Sequence, residues 1–329
     1  MRDNPISCTI DFDRQGGQHG HLKLPYSHDG SAWGVIMIPI TVVGSGDGPT
    51  VLMTGANHGE EYEGPVALMD LALTLDPAGV NGRVIIIPMM NYPAFRAARR
   101  TSPIDAGNMN RAFPGRPDGT VTEKIADYFQ RTLVPMADIV LDIHAGGKTL
   151  DFVPFAAAHI LEDTSQQDRC VAAMEAFNAP YQTMLLELDS VGMYDSAVED
   201  MGKVFVTTEL GGGGSATAKT AGIAKRGIRN LLRHAGVLEG DPEIGDSQTL
   251  DMPDMDCFVT CDQPGLLEMC VDLGEPVRKG DLLGRVYNID RTGVAPAEYR
   301  SAMDGILAGR HYPGLIGMGD MLAMLAVPV

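Results

Sequence analysis

The chain has 329 residues, 44% hydrophobic and 21% charged, long enough for a full-sized core plus a smaller unit and composed like a soluble globular protein. Its net charge of −18 argues against nucleic acid or an anionic membrane surface as a partner. No window approaches the ~18 apolar residues of a membrane span, the start "MRDNPISCTIDFDRQGG" has no apolar signal core, and Cys8, Cys170, Cys257, Cys261 and Cys270 are odd in number and scattered, all of which points to a cytoplasmic protein with reduced thiols.

In chain order, His19 and His21 of "GQHGH" have no carboxylate or cysteine nearby and read as part of an N-terminal loop. Nearly continuous apolar runs follow at 35–43, 51–55, 84–91, 139–144 and 204–210, as expected of central strands covered on both faces. Helical patterns lie between or after them at 64–75, 120–138 and 215–236. The first has Pro65 near its first turn, the second opens on a Thr-x-x-Glu-like cap, and the third ends in basic residues and glycine. The alternation predicts an α/β catalytic domain over 1–240, with a mostly parallel or mixed central sheet and helices on both faces.

Residues 241–256 are acidic, proline-containing and aperiodic, and read as a linker. Beyond it, 257–329 has short strand-like runs and Gly-Asp turns, predicting a small all-β domain. Within that domain 265–286 echoes 305–325, which predicts a pseudo-duplicated β-sandwich. It resembles the lipoyl/biotinyl barrel-sandwich but lacks a lysine at a hairpin tip. A shielding or oligomerising role is therefore expected rather than carriage of a prosthetic group.

Chemistry concentrates at the predicted strand exits. "TGANHGEEYEGP" places His58 and Glu61 three residues apart after one strand, His144 ends "IVLDIH", and Glu209 ends "VFVTTE". In an open parallel sheet the carboxyl ends of the strands face the ligand crevice. A lone histidine is more often a loop or core residue than a ligand, but three strand ends converging on one edge favour a metal site. Two histidines and one carboxylate leave a coordination position open, the arrangement of catalytic rather than structural zinc. Glu209 is then the natural general base, and Asp142, two residues before His144, is placed to orient an imidazole. Glu60 and Glu63 have no assigned job.

A cationic island lies in "NYPAFRAARRTSPIDAGNMNRAFPGRP", with Arg96, Arg99, Arg100, Arg111 and Arg116. Guanidinium groups suit a carboxylate or a polarised carbonyl; a solvated loop is the simpler reading for Arg96 and Arg116. The run "ELGGGGSATAKT" nearly spells a phosphate loop, but Ala218 stands where glycine should precede the lysine. A flexible turn that lets Glu209 approach the metal fits it better.

In order, "GANHGEE", "NYPAF…RR…GNMNRAFPG", "LDIHAGG" and "TTELGGG" match the motifs of the succinylglutamate desuccinylase/aspartoacylase family. The chain resembles that family, relatives of zinc carboxypeptidases that hydrolyse N-acyl amino acids, over most of its length. The resemblance implies one Zn2+ per chain held by His58, Glu61 and His144, with Glu209 as general base. It also implies Arg100 at the scissile carbonyl, Asn110 and Arg111 on the substrate α-carboxylate, and Arg99 as a further substrate-binding candidate. The longer spacer before "NMNR" leaves the choice between Arg99 and Arg100 at the carbonyl open. The stretch "IPITVVGSGDGPTVLMTGANHGEEYEGP" is most similar to the ectoine-catabolism branch, which deacetylates Nα-acetyl-L-2,4-diaminobutyrate. Alternatives are a desuccinylase, aspartoacylase or carboxypeptidase acting on another acyl amino acid, and a non-catalytic metal-dependent binding module. A small-molecule substrate is expected, with a homo-oligomer left open.

Overall fold

The computed structural model describes residues 3–44, 47–185 and 189–329, and its central feature is a parallel ribbon four strands wide. Arg83–Ile87, Thr50–Gly55, Ile139–His144 and Val204–Glu209 lie side by side in that order, all parallel. Val35–Gly44 and then Gly17–Pro25 extend it antiparallel on one side. Phe155–His159 joins the other side antiparallel, with Tyr181–Leu185 parallel to it. The sheet is therefore mixed, as expected. The expected N-terminal loop is not one: His19 and His21 belong to the Gly17–Pro25 strand. Its long ladder with Val35–Gly44 prevails over its polar composition, and His19 Nδ1 sits 2.9 Å from Thr41 Oγ1 across that pair.

Both faces of the parallel ribbon are covered, which explains its unbroken apolar runs. Val51, Met53, Val84, Ile86, Ile139, Leu141 and Ile143 point into one core layer, under the helices Glu63–Thr74, Thr164–Phe177 and Ala218–His234. The alternate residues Leu52, Ile85, Ile87 and Val140 point into the other, with Ile125, Phe129 and Leu133 from the helical stretch that begins at Val121. Period-2 alternation thus supplies two cores from one set of strands. Among the described residues no helix is long and apolar enough to cross a membrane.

The expected linker is corrected in part. Gln248–Asp251, inside 241–256, is a strand that pairs with Tyr181–Leu185 on one side and Met321–Pro328 on the other. One continuous sheet therefore runs from the α/β unit into the C-terminal region. A four-residue strand flanked by acidic residues has no local signature; its neighbours impose it. The internal echo is visible as two long–short–long strand sets, Gly265–Met269, Pro276–Val277, Leu282–Tyr287 and Gly305–His311, Leu315–Ile316, Met321–Pro328. Each short strand pairs with the first strand of the other set, so the halves interlock.

Candidate active site

The turn after Thr50–Gly55 is shaped by close packing. A Cβ on Gly59 would lie 2.1 Å from Ala94 C and Phe95 N, so the turn rests directly on the backbone of the Tyr92–Ala97 helix. That contact fixes the path along which His58 and Glu61 are presented. Glu61 is the hub: its Oε1 is 2.7 Å from His58 Nδ1 and its Oε2 is 3.1 Å from His144 Nδ1. All three residues are buried.

Behind His144, the buried Asp142 holds the ring by an Nε2 contact of 2.7 Å. Thr54 Oγ1 donates to Asp142 Oδ1 at 2.6 Å and Asn57 Nδ2 to its Oδ2 at 2.8 Å. Burial alone would push the carboxyls of Glu61 and Asp142 up, but the histidines beside them outweigh it and both are held below the usual carboxylate range. Burial likewise opposes charge on His144, yet Asp142 and Glu61 together raise it well above the ordinary imidazole value. Burial lowers His58 despite Glu61.

The donor set fits a divalent cation. With Asp142 ionised, His144 Nε2 is the hydrogen-bond donor, which leaves Nδ1 as a lone pair facing a carboxylate oxygen. Two acceptors at that distance need a cation between them, a proton or a metal. One ligand atom from each of His58, Glu61 and His144 lies within 4.8 Å of the others, and nitrogen–nitrogen–carboxylate is a zinc-type set.

Glu209 is the register partner of His144 on the adjacent parallel strand. It is half-buried at the cavity wall, and its Oε2 is enclosed without a hydrogen-bond partner. Burial, reinforced by the charge of Glu61, pushes this carboxyl up to about 8. The glycine run after it is pinned rather than flexible. Gly146 and Phe152 N–H groups both donate to Gly211 O, and Gly213 N donates to Leu150 O. Gly211, Gly213 and Gly214 have φ of +93°, +69° and +68°, a region that favours glycine.

A cavity of about 380 Å³ gathers His58, Glu61, His144, Glu209, Arg100, Asn110 and Arg111. Arg100 Nη1 is 3.8 Å from Glu61 Oε1. Asn110 Oδ1 accepts from Tyr194 N at 3.0 Å and faces Asn57 Nδ2 at 3.4 Å, and Arg111 Nη1 donates to Asn110 O. Arg99 is exposed and not part of the cavity wall. Residues that the motifs did not indicate complete the wall: Phe155 and Leu185 from flanking strands, Met252, Phe258 and Met324 from the C-terminal side, and Asp195. The two glutamates without an assigned job are structural neighbours of the site. Glu60 Oε1 accepts from Lys148 N at 3.4 Å, and Glu63 Oε1 accepts from Thr220 Oγ1 at 3.1 Å.

Residues 47–235 match the family model of the succinylglutamate desuccinylase/aspartoacylase catalytic domain. The chain is 56% identical over 328 residues to the N-alpha-acetyl-L-2,4-diaminobutyric acid deacetylase of Halomonas elongata, covering 99% of this chain and 96% of that one. A crystal structure of a succinylglutamate desuccinylase from Silicibacter sp. superposes with a TM-score of 0.98 at 64% identity, with 100% of both chains covered. The product-bound ectoine utilization protein EutE (DoeB) from Ruegeria pomeroyi superposes with a TM-score of 0.97 at 64% identity, covering 99% of this chain and 100% of that one. The chain therefore belongs to the succinylglutamate desuccinylase/aspartoacylase family and is, like its members, a deacylating amidohydrolase.

Proposed function

We propose that the chain hydrolyses the amide of Nα-acetyl-L-2,4-diaminobutyrate to L-2,4-diaminobutyrate and acetate, as a zinc-dependent step of ectoine breakdown in the cytoplasm. The observation that carries the chemistry is the meeting, in one cavity, of the His58–Glu61–His144 donors, the unpartnered Glu209 carboxyl and the guanidinium groups of Arg100 and Arg111. The end-to-end likeness to a deacetylase supports the substrate, and the five free cysteines suit a reducing compartment.

A zinc ion held by His58, Glu61 and His144 would supply Lewis-acid polarisation of a carbonyl and of water at neutral pH. The chain's own residues do the rest. Asn110 and Arg111 hold the α-carboxylate and set the amide across the cavity. With a cation held by the three donors, the Glu209 carboxyl is drawn back to its ionised form, and its Oε2 then takes the proton of the attacking water as the water oxygen bonds to the acetyl carbon. Arg100 stabilises the oxyanion that develops on the acetyl oxygen. The C–N bond then breaks, Glu209 passes its proton to the leaving α-nitrogen, and acetate departs. Asp142 keeps the His144 ring in one orientation throughout. Phe155, Leu185, Phe258 and Met324 line the cavity with apolar surface and limit water beside the reacting groups.

A second reading keeps this machinery and changes the acyl amino acid to succinyl-glutamate; the likeness to the Silicibacter desuccinylase favours it. Acylate release by the purified protein, with and without a chelator, separates the two. Chelator-sensitive release from acetyl-diaminobutyrate, at least roughly tenfold faster than from succinyl-glutamate or acetyl-aspartate, is the expected result. No chelator-sensitive acetate release would overturn the proposal.

A further inference from the structure

Three carboxylates line the cavity: Glu61, Asp195 and Glu209. Glu61 is engaged by both histidines, and Glu209 is the proton acceptor of the reading above. Asp195 has no part in either. It is 6% exposed, and its Oδ1 accepts from the backbone N–H and the hydroxyl of the adjacent Ser196. Its Oδ2 has no hydrogen bond or ion pair among the described residues. A carboxylate at a cavity wall with one oxygen free of protein donors is placed to accept from a cationic group that an occupant brings.

Its position specifies which part of an occupant that is. Tyr194 N donates to Asn110 Oδ1 at 3.0 Å, so Asp195 directly follows the residue that anchors the proposed α-carboxylate clamp. Phe113 N donates to Gly192 O at 3.0 Å, which ties the two loops together again. An Nα-acyl amino acid gripped by its α-carboxylate there, with its amide towards Glu209, has one substituent left on Cα. That substituent is the side chain, and of the three carboxylates that line the cavity Asp195 is the one left to meet it.

Resting on the deacylase reading, we propose that Asp195 is the specificity-determining residue for the substrate side chain, its Oδ2 accepting a charge-assisted hydrogen bond from a terminal ammonium. The substrate class is then Nα-acyl derivatives of short diamino acids, and neutral or acidic side chains are rejected because they leave the carboxylate unpaired.

Steady-state kinetics on Nα-acetyl-L-2,4-diaminobutyrate and on Nα-acetyl-L-2-aminobutyrate, which lacks the ammonium, test this. The wild type should favour the diamino substrate by at least roughly tenfold in kcat/KM. Asp195→Asn should lower kcat/KM for that substrate roughly 30-fold or more, mainly through KM, and should not lower it for the neutral one, whose penalty against the carboxylate it relieves. A merely structural role for Asp195 would lower both alike, and that result, or no change on either, overturns the inference. Hydrolysis of neither substrate by the wild type overturns the deacylase reading itself, and the inference with it. Should the variant fail to fold, product competition on the wild type decides. L-2,4-diaminobutyrate should inhibit at least roughly tenfold more tightly than L-2-aminobutyrate, and equal inhibition overturns the inference.

Discussion

Glu209 and His144 are register partners at the carboxyl ends of adjacent parallel strands, so a carboxyl without a hydrogen bond on Oε2 stands beside one of the three potential metal donors. The sheet itself sets this relationship, because residues in register on neighbouring strands project from the same face. In the proposed mechanism, proton transfer and metal holding fall to different residues on one rigid platform. Glu209→Gln keeps the shape and removes the proposed base. The variant should bind as much zinc as the wild type and lose about 10²- to 10⁴-fold in kcat. Metal analysis beside initial rates checks both halves, and full activity with zinc retained would falsify the assignment.

The same carboxyl gives the chelated protein a pH signature. Its folded value of about 8 lies above the ordinary 4.5, so the folded chain holds this proton more tightly than the unfolded chain does. The favourable contribution is complete below pH 4.5 and is lost progressively as pH rises to about 8. Glu209→Gln cannot titrate, so relative to the wild type it gains stability over that window. The two proteins, both in chelator, should differ little near pH 5, and the variant should be more stable by about 1 kcal/mol or more at pH 8. Urea unfolding at both values reads this, and an unchanged difference between them refutes it.

Arg99 and Arg100 are neighbours in sequence but not in surroundings. Arg100, also exposed, lines the cavity with Nη1 3.8 Å from Glu61 Oε1, whereas Arg99 is not among the lining residues. Arg100→Ala should lower kcat by roughly 10²-fold, the scale of losing one oxyanion donor, and Arg99→Ala should stay within roughly threefold of wild type. Parallel kinetics of the two variants settle the choice, which reverses if Arg99→Ala is the slow one.

Much of the constellation was legible because each part sits in a contiguous motif at a strand exit. His58 and Glu61 follow one apolar run, while His144 and Glu209 end two others. Asp195 was not legible. It reaches the cavity only through long-range contacts, Tyr194 N to Asn110 Oδ1 and Phe113 N to Gly192 O, which leave no local pattern. Met252, Phe258 and Met324 escaped for a related reason. The short Gln248–Asp251 strand that continues the sheet into the C-terminal region is specified by its partners rather than by its own residues. Gly59 is fixed by a long-range contact as well, its close approach to the backbone at Ala94 and Phe95.

The Asp142 carboxylate collects donors from Thr54 and Asn57 and spends its remaining contact on His144 Nε2. Asn at that position can accept one hydrogen bond but presents no charge, so it neither fixes the ring tautomer nor raises its basicity. Asp142→Asn should weaken zinc binding by about 10- to 100-fold, and zinc added in excess should recover most of the activity. Competition with a chromophoric chelator measures the affinity. An unaltered affinity would show that the ring is held by packing alone.

Gly59 makes the last prediction, and it separates packing from chemistry. A methyl group there would stand 2.1 Å from Ala94 C and Phe95 N, main-chain atoms that cannot rotate aside as a side-chain end could. The Tyr92–Ala97 helix is itself tied down, with Asn91 Oδ1 accepting from Ala94 N at its start and Asn91 Nδ2 donating to Asn57 O. The turn rather than the helix must therefore move, and His58 and Glu61 move with it. Gly59→Ala should cost about 1–3 kcal/mol or more in unfolding free energy and weaken zinc binding in the same protein. Gly222→Ala, on a helix where an added Cβ meets nothing within 4 Å, is the control, and should be neutral or stabilise by up to about 1 kcal/mol. Urea denaturation and zinc titration of both variants test the pair. Native-like zinc affinity in Gly59→Ala would mean that the donors keep their places by some route other than the packing of this turn.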